Sequence, residues 1–241
     1  AGDGAGGDVV VLGEPGRHRV TAELLGTAAG LAASIGGRAV LSVDVVDDWE
    51  ALSSQGADKV IRHAGTTGAE EVARMLAGYF ARKSPWAVLA PGTAWGREAA
   101  ARLAARLGAG LTGDAIGLEA RDGRLVAFKP AFGGRLVAEI SCTSAVQMAT
   151  VRPGILPGLR PRPTAPFAVD RLEAGPGSRA RILERRRDDD RDLLANADVV
   201  IGVGVGVNPA DLSEIEAHAA TIGAELCATR RVTDAGWMPR A

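Results

Sequence analysis

WAVLAPGTAWGREAAARLAARL, residues 86–107, carries the decision about the fold. Trp86 to Ala90 is a short apolar run closed by a proline, which reads as a strand buried on both faces. Once Pro91 and Gly92 have interrupted that run, Gly96 to Leu107 sets alanine and leucine at helical spacing. The same unit recurs upstream. Asp8 to Leu12 reads as a strand and Val20 to Ile35 as a helix. Arg38 to Val43 follows as a strand, Trp49 to Gln55 as a short helix, Asp58 to Arg62 as a strand and Gly68 to Lys83 as a helix. Strands separated by helices imply crossover connections and a mainly parallel sheet, because each helix has to cover a sheet face.

Downstream the period shortens. Leu111 to Ala120, Leu125 to Phe128, Leu136 to Ile140 and Val146 to Val151 are β runs. Asp122-Gly123 between the first two is a hairpin signal, since a type I′ turn needs positive φ. These strands are expected on or beside the parallel sheet. Arg160 to Gly177 gathers six prolines and glycines with little periodicity and reads as a linker. Arg181-Ile182-Leu183 reads as a strand, and Glu184 to Asp192, charged in blocks, as a solvated connector. A second unit then begins. Ala197 to Val203 is a strand, Asn208 caps a helix with Pro209 as its first residue, the helix runs to Ile222, and Ala224 to Ala228 is the next strand.

The expected fold is α/β. Residues 8–164 form a mainly parallel, Rossmann-like sheet with a β-hairpin segment, residues 165–196 a linker and connecting strand, and residues 197–241 the start of an incomplete second α/β unit. One βαβ fragment buries too little apolar surface to fold alone, so it has to lean on another body.

Composition excludes several classes. The 241 residues are 46% hydrophobic and 24% charged, ordinary proportions for a globular protein, so disorder is not expected. A net charge of −1 gives no electrostatic footprint for nucleic acid. No apolar run approaches the roughly 18 residues of a membrane span, so a membrane protein is not expected. Cys142 and Cys227 are far apart, with no CxxC and no histidine beside them. Inert thiols in a reducing, cytoplasmic setting are therefore expected, not a disulfide or a zinc site. The Gly-rich start, AGDGAGG, reads as a mobile tail and not as a signal sequence, and the absence of an initiator Met points to processing.

Three loops draw attention. IGVGVGV, residues 201–207, sets Gly202, Gly204 and Gly206 between a strand and a capped helix, where backbone N–H groups and a helix dipole attract phosphate. Its G-x-G-x-G spacing fits a tight packing turn as well as a nucleotide site. TRRVTDAGW, residues 229–237, follows the next strand and places Arg230 at the carboxyl end of the sheet, where open α/β folds bind ligands; a plain surface arginine is the competing reading. Pro91 to Gly96 likewise links a strand to a helix start. His18, His63 and His218 are scattered without ligand spacing, so neither hydrolase nor metal chemistry is supported.

Lys129 to Pro153, KPAFGGRLVAEISCTSAVQMATVRP, is more irregular than scaffolding requires. It resembles the matching segment of the electron transfer flavoprotein alpha subunit, where an aromatic-Gly-Gly turn leads into strands closing with MATVRPG, here Met148 to Gly154. The resemblance extends to the loop and helix of Pro91 to Leu107 and to Thr229 to Trp237, so it covers nearly the whole chain.

The resemblance implies a heterodimer with a beta subunit, FAD held by the alpha subunit, and AMP or a second FAD in the beta subunit. It also implies electrons arriving from dehydrogenases and leaving to a quinone reductase or another acceptor. Arg230 stands in the slot of an arginine that lies against the isoalloxazine ring and favours its anionic reduced forms, with Thr229 replacing a serine. A guanidinium can stabilise a negative ring without moving a proton. Gly204 and Val205 stand where the family has its Gly-rich turn and an arginine that meets the pyrophosphate, so one cationic contact is absent. Arg230, Thr229 and Gly204 are thus the expected cofactor-binding residues. Pro91 to Gly96 and Phe132-Gly133-Gly134 are expected near the beta subunit. The family continues past this run with Q-x-G-x-T-G and S-G-A-x-Q-H loops that make most FAD contacts, and neither occurs in these residues. The expectation is that these 241 residues alone hold FAD weakly or not at all.

Two other readings stay open. The first part could bind adenine nucleotides, although no phosphate-loop lysine or acidic metal pair accompanies its Gly turns. Alternatively the chain is a non-redox structural subunit that positions a cofactor-bearing partner.

Overall fold

The computed structural model describes residues 7–46, 48–63, 65, 68–157, 161–173, 184, 193–194 and 197–239. The chain divides into two compact units, Ala1–Arg181 and Ile182–Ala241. In the first, β1 (Asp8–Leu12), α1 (His18–Ile35), β2 (Arg38–Val43), α2 (Trp49–Ser54), β3 (Lys59–Arg62), α3 (Ala69–Phe80), β4 (Ala87–Pro91) and α4 (Ala94–Leu107) follow in strict alternation. After them come β5 (Gly110–Ala115), β6 (Gly117–Arg121), β7 (Arg124–Ala131), a 3₁₀ turn at Phe132–Gly134, β8 (Leu136–Ser141), β9 (Gln147–Val151) and β10 (Ala168–Arg171).

Seven strands form one sheet in the order β10-β3-β2-β1-β4-β9-β5, every pair of it parallel. Alternate residues of its central strands serve opposite layers. Val9, Val11, Leu41 and Leu89 pack with Leu24 and Leu25 of α1, while Val10, Leu12, Val40 and Met148 pack with Leu76 and Phe80 of α3 and Leu103 of α4. A strand covered on both faces has no polar side, which is why β4 reads as a continuous apolar run; β9 is also buried at every position, and its two polar residues are bonded inside, Gln147 Oε1 accepting the Leu125 N–H and Thr150 Oγ1 the Asp114 N–H. Helix ends follow local chemistry. Thr93 caps α4 by accepting the Gly96 N–H, and Gly36 and Gly108 close α1 and α4 in the left-handed conformation. Gly96 is needed for close approach, because a Cβ there would stand 2.1 Å from the Pro91 carbonyl oxygen.

β6, β7 and β8 form a separate antiparallel sheet in that order. Leu125 and Ala127 of β7 join the core layer of α1. The Leu125 N–H donates to Gln147 Oε1 at 2.9 Å and Trp86 Nε1 to the Gly123 carbonyl at 3.0 Å, tying this sheet to β9 and to the start of β4. Asp122 and Gly123 have φ of 52° and 73°, the turn that their sequence signalled.

Two expectations need correction. Leu111 to Ala120 is not one strand but β5 and β6, which belong to different sheets. The strands part at Ile116, just after an irregularity in β5 at Asp114, whose φ is +57°; its N–H donates to Thr150 Oγ1 at 2.9 Å and its carboxylate takes Arg97 Nε and Nη2 at 3.1 and 2.8 Å. Asp is one of the few side chains that tolerate this region, so apolar patterning carried no sign of it.

The stretch read as a linker, Arg160 to Gly177, contains β10, the edge strand beside β3. Side chains and not periodicity hold it. Ser53 Oγ donates to the Ala165 carbonyl and accepts the Ala165 N–H, at 3.0 and 2.8 Å, and Arg162 Nη2 reaches Asp58 Oδ1 at 2.6 Å. Asp170 receives Lys59 and Lys83, each at 2.9 Å, and the Tyr79 hydroxyl. The expected strand at Arg181 to Leu183, the connector after Glu184 and the tail before Gly7 lie outside the described residues.

In the second unit β11 (Val200–Val203) pairs in parallel with β12 (Glu225–Ala228), joined through a 3₁₀ turn at Pro209–Asp211 and α5 (Leu212–Ile222), and α6 (Arg230–Asp234) follows. Asn208 Oδ1 accepts the Ala210 N–H at 3.2 Å, but the first turn is 3₁₀ and the α-helix starts at Leu212. Among the described residues Val203, Ala219 and Val232 are its buried apolar side chains. No described helix is long and apolar enough to cross a membrane.

Candidate functional site at the carboxyl edge of the second unit

Parallel pairing puts the carboxyl ends of β11 and β12 side by side, with Val203 opposite Ala228. The residues that follow each strand therefore meet at one edge. Gly204 leaves β11, Thr229 leaves β12, and the Thr229 N–H donates to the Val203 carbonyl at 3.0 Å. Arg230 is the first residue of α6. Val232, fully buried, anchors that short helix, and the Trp237 N–H closes onto the Val232 carbonyl at 3.2 Å. Gly204 and the Thr229-Arg230 pair, far apart in sequence, thus leave the sheet at one edge.

The Arg230 side chain is 89% exposed, and its Nε lies 3.3 Å from Asp234 Oδ2 one turn on. An exposed i,i+4 pair of this kind is worth only a few tenths of a kcal/mol, ~0.3–0.5. The guanidinium therefore remains available to a stronger anionic or planar partner. Thr229 takes the N-cap position without a side-chain cap bond, leaving its hydroxyl uncommitted to the helix.

The glycines of residues 201–207 discriminate between the two readings of that turn. None of Gly202, Gly204 and Gly206 has positive φ. A Cβ on Gly204 or Gly206 would meet no heavy atom within 4 Å, and one on Gly202 only Cys227 Sγ at 3.8 Å. Residues 204–207 form a tight turn, closed by the Val207 N–H on the Gly204 carbonyl at 3.1 Å, but neither its backbone conformation nor its packing requires glycine at 204 and 206. The start of α5 is a poorer anion site than its sequence suggested. Asn208 caps the turn, and Asp211 and Glu214 put carboxylates beside it, in a depression of about 490 Å³ lined also by Ile201, Val207 and His218. The corner thus presents an exposed guanidinium, whereas the helix start is acidic.

Elsewhere, Pro91 to Gly96 packs as a helix entry, with Gly96 against Pro91. Phe132, Gly133 and Gly134 make the β7–β8 turn with φ of 51°, 70° and 84°, and the Phe132 ring is 79% exposed. An aromatic residue held in the left-handed region and presented to solvent was not visible as such in the sequence. Among the described residues no group of histidines, cysteines and carboxylates could hold a metal ion, and both cysteines are free.

A two-unit α/β chain with a cationic, glycine-lined corner at a parallel-strand edge is the form of a nucleotide-cofactor carrier subunit. Residues 10–176 match the electron transfer flavoprotein domain, and residues 193–241 the electron transfer flavoprotein FAD-binding domain. The chain is 31% identical over 242 residues to the protein FixB of Clostridium saccharobutylicum, covering 93% of this chain and 71% of that one. It is 33% identical over 233 residues to an electron transfer flavoprotein alpha subunit of Mycobacterium leprae, covering 92% and 71%. To the LctC subunit of a lactate dehydrogenase (NAD(+),ferredoxin) of Acetobacterium woodii it is 31% identical over 237 residues, covering 91% of this chain and 56% of that one. The chain belongs to the electron transfer flavoprotein family, on its alpha-subunit side.

Proposed function

We propose that the chain acts as the alpha subunit of a heterodimeric electron transfer flavoprotein, taking electrons from dehydrogenases and passing them to a quinone reductase or another acceptor. The observation that carries this is the corner itself: Gly204, Thr229 and Arg230 at one carboxyl edge, with the guanidinium exposed and weakly paired. Bound FAD would supply one- and two-electron redox chemistry. This chain's part is to lay Arg230 against the ring system, so that negative charge gained on reduction meets a fixed cation, and to let the ligand approach the backbone at Gly204 and Gly206. Thr229 sets the direction of α6 and adds a hydroxyl.

The FAD grip of these 241 residues by themselves is weak. The described second unit is a two-stranded sheet with one covering helix and an acidic helix start, which cannot enclose a dinucleotide. A beta subunit, carrying AMP or a second FAD, completes the assembly. It docks on the β7–β8 arm of the first unit, where Phe132, Leu136 and Val137 are exposed apolar side chains and β8 is an unpaired edge. Free Cys142 and Cys227 suit a cytoplasmic, reducing location.

Co-expression with a beta subunit, followed by an absorbance scan, tests the reading. A yellow complex whose flavin properties change in Arg230→Ala is expected, whereas a colourless complex or an indifferent Arg230→Ala rejects it. The second reading, a non-redox structural subunit without a complete flavin site, draws on Asp211 and Glu214 at the α5 start and on Val205 in the pyrophosphate arginine's place. It would be favoured by a stable heterodimer that never takes up flavin.

A further inference from the structure

α6 is short, Arg230 to Asp234, and is held by its own backbone and one hydroxyl. The Thr233 hydroxyl donates to the Arg230 carbonyl at 2.9 Å, the Val232 N–H to the Thr229 carbonyl at 2.9 Å, and the Gly236 N–H to the Thr233 carbonyl at 3.1 Å. None of these bonds uses the Asp234 side chain, so neutralising its carboxylate leaves them in place. Arg230 and Asp234 stand four apart and share one face of the helix. Arg231 does not, because successive residues do not face each other. The Asp234 carboxylate takes Arg230 by Nε, at 3.3 Å, which leaves both Nη nitrogens of the fork to an outside group. The two side chains are 89% and 41% exposed, so both remain open to a ligand.

The pair brings opposite charges to one place. A ring lying on the guanidinium at van der Waals distance, about 3.5–4 Å, has the carboxylate within roughly 8 Å, close to the screening length at physiological salt. The two fields oppose each other there. Negative charge gained by the ring on reduction is favoured by Arg230 and disfavoured by Asp234. A bound ring also displaces water from the pair, and the lower dielectric strengthens both effects.

We propose that Asp234 is the counter-charge of Arg230, a residue that lowers the reduction potential of the bound flavin by offsetting the guanidinium. This rests on the reading that a flavin ring lies against Arg230. The potential then follows the net charge of the pair, which is neutral in the wild type. Arg230 draws electrons toward the ring, and Asp234 limits how tightly they are held, so that they can be passed on.

The test measures the two-electron reduction potential of FAD in the complex with the beta subunit, for the wild type, Asp234→Asn, Arg230→Ala and the variant carrying both changes. Asn keeps an acceptor for Nε while removing the charge, and Asp234→Ser is a second neutral variant. At a fixed solution potential Asp234→Asn should raise the ratio of reduced to oxidised FAD about threefold, a shift of about 15 mV, and Asp234→Ser should shift it the same way. Arg230→Ala should lower the ratio about fivefold. The double variant, whose pair is again neutral, should recover at least about half of that shift. If Asp234 only supported the helix or steered Arg230, neither neutral variant would rise, and Asp234→Asn would add nothing to Arg230→Ala. Neutral variants at or below the wild-type potential, or a double variant no higher than Arg230→Ala, overturn the proposal while a lowered Arg230→Ala upholds the flavin reading. A complex without FAD, or one whose potential ignores Arg230, rejects that reading and the proposal with it.

Discussion

Replacing Asp170 by alanine should detach the edge strand that closes the first unit. The Lys59 side chain is 7% exposed and meets Asp170 at 2.9 Å, and Lys83 meets the same oxygen at 2.9 Å. In Asp170→Ala, Lys59 Nζ keeps only Tyr79 Oη, at 3.0 Å. Removing one partner of a fully buried pair costs about 3–5 kcal/mol, and because Asp170 is 27% exposed a smaller loss, about 2–3 kcal/mol, applies.

The pH dependence follows from the shifts. The Tyr79 hydroxyl is the main cause that holds the Asp170 carboxyl well below the usual carboxylate range, with burial opposing and Lys59 and Lys83 assisting. This contribution is complete above the unfolded value near ~4 and is lost as pH falls through the lower folded value. Burial alone would lower Lys59, but Tyr79 and Asp170 outweigh it and raise it. The lysine contribution is therefore complete below its unfolded value near ~10.4 and is lost only as pH rises beyond that. The wild-type advantage over Asp170→Ala should be flat from about pH 5 to 9 and shrink below about pH 4.

Urea unfolding followed by Trp fluorescence gives the global term, and hydrogen exchange at the Leu172 amide, which donates to the Arg62 carbonyl at 2.8 Å, gives the local one. Lys59→Met combined with Asp170→Leu should recover most of the loss, since replacing both partners by apolar groups is often neutral. A loss under about 1 kcal/mol, or a double variant no better than the single one, refutes the reasoning.

Three further outcomes are expected. Gly96→Ala places a Cβ 2.1 Å from a backbone oxygen, so the chain should lose at least about 2 kcal/mol in chemical denaturation. Phe132→Gly relieves an aromatic residue at φ of 51°, so it should stabilise the isolated chain by up to about 1 kcal/mol while weakening association with the beta subunit, read by calorimetry. Ser53→Ala removes both bonds to Ala165 and should cost about 1–2 kcal/mol and speed exchange at the Ala165 amide.

The alternating part of the fold was legible because strands covered on both faces and amphipathic helices leave different periods. Arg38 to Val43 is a strand at the residues its pattern marked. β10 escaped because a four-residue parallel edge strand, half exposed, has no period to detect, and its order comes from Ser53, Asp58 and Tyr79, distant in sequence. The division of β5 from β6 at Ile116 escaped because the aspartate in the left-handed region just before it looks like any polar residue in a strand. For the candidate site, the strand ends at Gly204 and Thr229 could be placed from periodicity, but their adjacency needed the parallel register. That Gly204 and Gly206 are required by neither positive φ nor packing could be known only from their φ angles and surroundings.

The claim that a flavin ring lies against Arg230 is tested most directly by the midpoint potential of FAD in the complex of this chain with its beta subunit. Arg230→Ala should lower that two-electron potential by about 20 mV, as loss of roughly 1 kcal/mol of charge stabilisation implies, with Arg230→Lys between the two. A complex that carries FAD at the same potential in all three proteins would contradict it.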